Sequence, residues 1–239
     1  MKLALVGLML LAQTANPRDV QRLQELRLCD RCNLIGANLR GLNLQGVTVV
    51  ASNLQNADLS SAQLVGAFFV DAQLRGAELP QANLTNANFS GSDLQGANLS
   101  GALLQTTNLT GANLQGDVLL GVDLQGANLG AANLQRSVLT NSNLTLANLQ
   151  RANLGGAMLL QAQLRQADLT SANFRGASLR GADLQTANLT NADLRGADLR
   201  QTNLRQANLQ GALLTAPQLQ DAHLCQTILP DGSQSNRDC

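Results

Sequence analysis

Among 239 residues there is no Trp, no Tyr, one His, one Lys and no surplus of either charge, sixteen acidic residues facing sixteen basic ones. Each shortage closes a route to function. A chain of zero net charge has neither a nucleic-acid-binding tract nor an acidic mimic written into its composition. With His223 alone, no Gly-rich phosphate loop at a strand-to-helix junction and no pocket-making insertion, nothing can assemble an acid–base or nucleophile constellation. No catalytic residue, cofactor or metal site is therefore expected. His223, with Asp221 and Cys225 nearby, offers at most half a metal site and reads as a solvated surface side chain.

What the chain has instead is a period. Forty five-residue units run without insertion or deletion from Cys32 to Asp231, each close to Ala-Asn/Asp-Leu-x-x. The central residue, from Leu34 to Leu229, is Leu except at Val49, Phe69, Phe89 and Phe174. A period of five fits neither helix nor flat strand, so a turn is needed inside each unit. Four turns close a square coil of twenty residues, and coils stacked at strand spacing make a solenoid. The central residue points inward, and so does the residue two before it, which is Ala in 27 of the 40 units. A narrow bore filled by leucines leaves only methyl-sized room beside them, and needs no aromatic core.

Asn or Asp before the central residue can bond nearby backbone and can ladder with its equivalent one coil away. Gly stands two after the central residue in 17 units, but Asn, Gln, Arg and Leu146 also occur there. That corner is therefore expected to prefer a small residue without demanding a positive φ.

The runs Gly36-Ala37-Asn38-Leu39, Gly96-Ala97-Asn98-Leu99 and Gly196-Ala197-Asp198-Leu199 resemble pentapeptide repeat proteins. The resemblance implies an all-β fold, a right-handed quadrilateral β-helix, here of about ten coils. It is nearly silent on activity, since most members have no assigned biochemistry.

The ends follow other rules. Lys2 before the uncharged apolar run Leu3–Ala12 has the layout of a short secretory signal over residues 1–15, which is either cleaved or kept as a tether. Ten apolar residues are too few for a stable membrane span. Asn16-Pro17-Arg18-Asp19 starts a helix expected to reach Leu28, with Val20, Leu23 and Leu26 laid over the open end of the first coil. Residues 16–31 thus form a cap carrying Cys29 and Cys32, 32–231 the solenoid, and 232–239 a tail. Cys29 and Cys32 are too far from Cys225 and Cys239 for cross-pairing, so two local disulfides or free thiols remain. An oxidising compartment favours Cys225–Cys239 as a bracket on the tail.

Residues twenty apart share a face, so departures from the pattern map onto the surface. Val118, Leu120, Val138, Met158 and Leu160 gather on one face as a candidate protein-partner or homodimer patch; the alternative is simple aliphatic stacking along a ladder. Phe68 with Val50 and Val70 forms a second group, expected to be covered by the N-terminal segment. Asp117 falls on an inward site, where its carboxylate is costly. Arg175, Arg180, Arg195 and Arg200 form a candidate anion-facing set, although neighbouring aspartates suit a salt-linked face better and no aromatics interleave for bases.

The leading expectation is a non-enzymatic scaffold in a periplasm or thylakoid lumen, a location implied by the leader and by resemblance to exported members from photosynthetic bacteria. The alternative is the family's DNA-mimic class, which shields type II topoisomerases; zero net charge and the arginines count against it. Ice binding lacks the paired Thr array it needs.

Overall fold

A computed structural model of the chain describes residues 14–239; the run Leu3–Ala12, and with it most of the expected leader, lies outside the described residues. Parallel bridges join residues twenty apart in four ladders that begin at Asn33, Asn38, Asn43 and Thr48. Each unit is built from the same bonds. The central N–H donates to a carbonyl nineteen residues on, as Leu34 N to Asn53 O at 2.7 Å, and the inward residue closes a turn, as Ala37 N to Leu34 O at 3.0 Å. Five residues carry the chain to the next ladder, and twenty return it.

Regular strand is scarcer than an all-β reading suggests. β1 (Leu28–Asp30) pairs parallel with β2 (Thr48–Val50), and β3 (Thr227–Ile228) pairs antiparallel with β4 (Gln234–Ser235). The other ladder positions pair one residue at a time, because a corner interrupts the chain every five residues.

The corners correct one expectation. Every fifth residue from Gly36 to Gly211 has a positive φ, glycine or not, including Thr106 at 55°, Arg136 at 57° and Leu146 at 62°. A hydrogen bond from residue i+3 to residue i with positive φ only at i+2 is a type II turn, which Gly or Asn suits and a branched side chain strains. The corner therefore does demand the left-handed region. The bonds on both sides of it hold non-glycine residues there.

Central leucines and inward alanines are buried along the bore, and the inward Phe69 and Phe89 stack with ring centroids 4.9 Å apart. The residue before the centre does both things expected of it. Asn133 Oδ1 accepts from Gln135 N, while its amide donates to Asn113 Oδ1 at 3.0 Å.

The helix, α1 (Pro17–Leu26), starts as the sequence implies, with the Asn16 side chain accepting from Arg18 N. It ends two residues early. Arg27 takes a left-handed conformation at φ 54° and turns the chain into β1. Leu23 is buried and Val20 is half-buried against the core, but Leu26 is 67% exposed and does not join the expected apolar face.

Near the other end, Ala216–Leu219 form a 3-10 turn in place of a regular unit. Pro217 occupies the inward position whose N–H closes the corner elsewhere, and it has none to give. The Gln218 side chain stands in for the displaced backbone, donating to Leu194 O and Ala197 O, both at 2.9 Å. The nineteen-residue register returns with Leu204 N to His223 O.

Candidate functional site

Val118, Val138 and Met158 are consecutive rungs of one ladder. Leu120, Thr140 and Leu160 lie two residues further along the same face, their carbonyls accepting from Gly101, Gly121 and Asn141. Backbone groups are thus satisfied, and the side chains are left standing in water. Val118 is 38% and Met158 47% exposed, with Leu120 and Leu160 between these values and Val138 half-buried. Gly116, Gly121 and Gly156 form three of the flanking corners and add no side chain to the relief. Beyond Leu160 the face dips into a hollow of about 200 Å³ lined by Leu160, Gln161, Arg180, Gly181 and Gln201.

In the second apolar group Phe68 is exposed, and Val50 and Val70 are half-buried; the apolar N-terminal segment expected to cover them lies largely outside the described residues. Leu103, Leu146 and Leu213 are exposed separately. A cavity of about 260 Å³ at the C-terminal end, lined by Leu214, Ala216, Leu219, Leu229, Pro230 and Asp231, escaped the sequence reading. Pro217 on an inward site was the signal for it.

Three of the four candidate anion-facing arginines are engaged. Arg175 and Arg195 both approach Asp193, at 3.7 and 2.6 Å, and Arg200 grips Asp198 at 2.7 Å. The guanidinium bonds from Arg195 and Arg200 hold both carboxyls down to about 2, against the opposing effect of burial. Arg180 makes no ion pair and reaches only the Gln201 side-chain oxygen, at 3.4 Å.

Residues 32–69, 52–91, 87–116, 119–156, 147–185 and 182–216 match the family described as pentapeptide repeats. The chain is a pentapeptide repeat protein. Its coil is the family's right-handed quadrilateral β-helix. Among solved structures it is similar to HetL, a pentapeptide repeat protein involved in heterocyst differentiation regulation in the cyanobacterium Nostoc sp. strain PCC 7120. The identity is 32% and the TM-score 0.70, covering 92% of this chain and 99% of that one. QnrB1, a plasmid-mediated fluoroquinolone resistance protein, matches as a trypsin-treated variant at 20% identity and TM-score 0.49, covering 78% of this chain and 92% of that one. A pentapeptide repeat protein of the Arabidopsis thaliana thylakoid lumen matches at 31% identity and TM-score 0.32, over 45% of this chain and 68% of that one. No curated protein matches the chain.

Both cysteine pairs of this pentapeptide repeat protein are disulfides, and they sit differently. Cys29 and Cys32, with Cα atoms 5.5 Å apart, join across the corner at Arg31 with both side chains in the bore. Cys29 lies in β1 on a central site, not at the end of the helix as the sequence reading had it. Cys225 joins Cys239, whose side of the bridge is exposed. Asp238 anchors the same tail, its carboxylate accepting from Leu224 N at 2.7 Å.

Among the described residues, Asp117 is the one carboxylic acid buried in this pentapeptide repeat bore. One carboxyl oxygen accepts from Ala97 N at 3.1 Å; the other has no partner. Burial pushes the acid up to about 9, against the pull of the Ala97 and Gly96 N–H groups, with Asp93 adding to the rise. It is therefore protonated at neutral pH. Inward hydroxyls at equivalent sites show a better solution: Ser52 accepts from Cys32 N at 2.9 Å and donates to Cys29 O at 2.8 Å. Thr107 donates likewise to Leu84 O, and Thr227 to Leu204 O.

No group of three or more His, Cys, Asp or Glu suited to a metal ion occurs among the described residues, and His223 is exposed. No helix among them is long and apolar enough to cross a membrane.

Proposed function

We propose that this protein is a non-enzymatic interaction scaffold, exported to a periplasm or thylakoid lumen, that binds a protein partner through the Val118–Leu160 face. One observation carries the reading: five apolar side chains, four of them exposed, form a contiguous flat array over three successive coils, a larger group than the one around Leu28 and Phe68. Flatness suits a protein surface better than a small molecule, which needs a concave site. HetL, of the same fold, is involved in heterocyst differentiation regulation, a role that is not named as catalytic. Export is supported by Lys2 with the run Leu3–Ala12, and by two disulfides, which persist in oxidising compartments. On this reading about ten coils make the rod, α1 covers its first edge and residues 232–239 its last, so partners meet its sides.

The test is a pull-down from envelope extract with mass spectrometry, comparing wild type with Met158→Glu. Capture by wild type alone supports the face as a binding surface. Identical recoveries remove it, because a carboxylate in the middle of a desolvated apolar contact is not tolerated.

A further inference from the structure

We infer that the occupant of this face is a second copy of the chain, paired antiparallel, with Glu78 of each copy seated on Arg180 of the other. The inference rests on the reading of the Val118–Leu160 face as an interface and names what binds there.

Glu78, Asn98, Val118, Val138, Met158 and Ser178 are six successive rungs of one ladder, and Arg180 lies two residues past Ser178 on the same face. At roughly 4.8 Å per rung, Glu78 and Arg180 stand about 24 Å apart with the apolar side chains between them. Two other charges on these rungs are paired, Asp58 with Arg40 and Asp198 with Arg200, while Arg136 stands at the corner beside the face. Glu78 and Arg180 are both exposed, and neither belongs to an ion pair among the described residues; Glu78 accepts only from the neutral Asn98 amide at 2.8 Å, and Arg180 acts on Asp198 through space, beyond ion-pair distance.

An acid at one end, a base at the other and an apolar centre make a surface that complements itself when one copy is reversed. A two-fold axis midway between Val118 and Val138 lays each of these residues on the other, carries the Glu78 rung onto the Ser178–Arg180 rung, and sets Met158 and Leu160 against the short side chains of Asn98 and Ser100. Such an isologous contact closes after two copies. The hollow beside Leu160 is lined by Arg180, Gln161 and Gln201, whose N–H donors suit a carboxylate. Arg136, at the corner near the axis, meets the side-chain-free corner Gly116 of the second copy, so it adds no clash. Parallel pairing would set Glu78 on Glu78 and Arg180 on Arg180, which like-charge repulsion disfavours.

Sedimentation equilibrium on the purified full chain, disulfides intact, tests this with surface variants that leave the bore untouched. Wild type is expected to dimerise, and Glu78→Arg and Arg180→Glu each to weaken the dimer at least about tenfold. Mixing those two variants restores a heterodimer, and the double exchange Glu78→Arg with Arg180→Glu restores the homodimer. A wild type that stays monomeric, or a dimer indifferent to both charges, overturns the inference. If the chain is monomeric while Met158→Glu still abolishes a specific capture, the face remains an interface for another protein and only self-pairing falls.

Discussion

The bore and the skin of this rod obey opposite rules, though they alternate residue by residue along the same chain. In the bore, volume decides: Leu139 and Leu159 have neighbours on every side, and nearly every second inward site is held to a methyl group. On the skin, side-chain identity varies more: Arg40, Ser60, Pro80, Ser100, Leu120, Thr140, Leu160 and Arg180 succeed one another at one outward position. What the skin keeps fixed is the backbone, through the left-handed corner. Stability is therefore written in the side chains inside and in the dihedral angles outside, which leaves outward side chains available for binding.

The largest test of that contrast is Asp117, a polar residue obeying neither rule. An acid near its ordinary value of 3.8 when unfolded and at about 9 when buried adds no pH-dependent cost well below pH 3.8, where both states are protonated. As pH rises the unfolded chain releases its proton while the folded one keeps it, so stability falls until the folded acid also ionises near pH 9. At pH 7 the cost is about 4 kcal/mol, from about 1.4 kcal/mol per pH unit. Asp117→Ser supplies the acceptor and donor that Ser52 shows in its own coil. It is expected to stabilise by up to that amount at pH 7 and to flatten the slope between pH 4 and 9, as read by urea unfolding across that range. An unchanged slope would mean that the acid is not neutral in the fold.

Leu139→Ala comes next, with a loss of about 3 kcal/mol from removed burial and a cavity the stacked coils cannot close. The exposed Leu146→Ala should cost almost nothing by the same measurement. Leu146→Gly then separates backbone from side chain: relief of the positive φ should outweigh the added chain entropy and raise stability by about 0.5–1 kcal/mol. A loss there would show that the corner tolerates leucine at no cost. The mildest contrast is chemical. A thiol reductant under native conditions should open Cys225–Cys239 first and leave Cys29–Cys32 closed in the bore, as alkylation with mass spectrometry will report.

The same division explains what was legible in the sequence. Inward sites repeat one residue type, so Leu and Ala announce period, coil and bore directly. The corners do not, because Gly, Asn, Gln, Arg and Thr all accept the imposed φ, and a mixed column reads as permission rather than demand. Cys29 reads as the end of the helix rather than the start of the coil because its unit, ending in Asp30-Arg31, carries no Asn-Leu signature, although it falls on the central site by count. Pro217 was visible but unread; its meaning depends on knowing that an inward N–H closes each corner. The apolar face was found because its deviations recur at twenty-residue intervals. The contribution of Arg180 was hidden among arginines until the ion pairs of its neighbours set it apart.

The return of the chain to the same ladder after twenty residues gives this protein a phase. Inserting or deleting four units lengthens or shortens the rod and keeps every face in line. Inserting one unit between Glu78 and Val118 would leave the bore packed and every rung bonded, yet swing everything downstream by a quarter turn, moving the apolar face out of line with its acid. Such a rod can gain or lose a contact surface by rotation, without a single substitution on that surface and without any loss of fold.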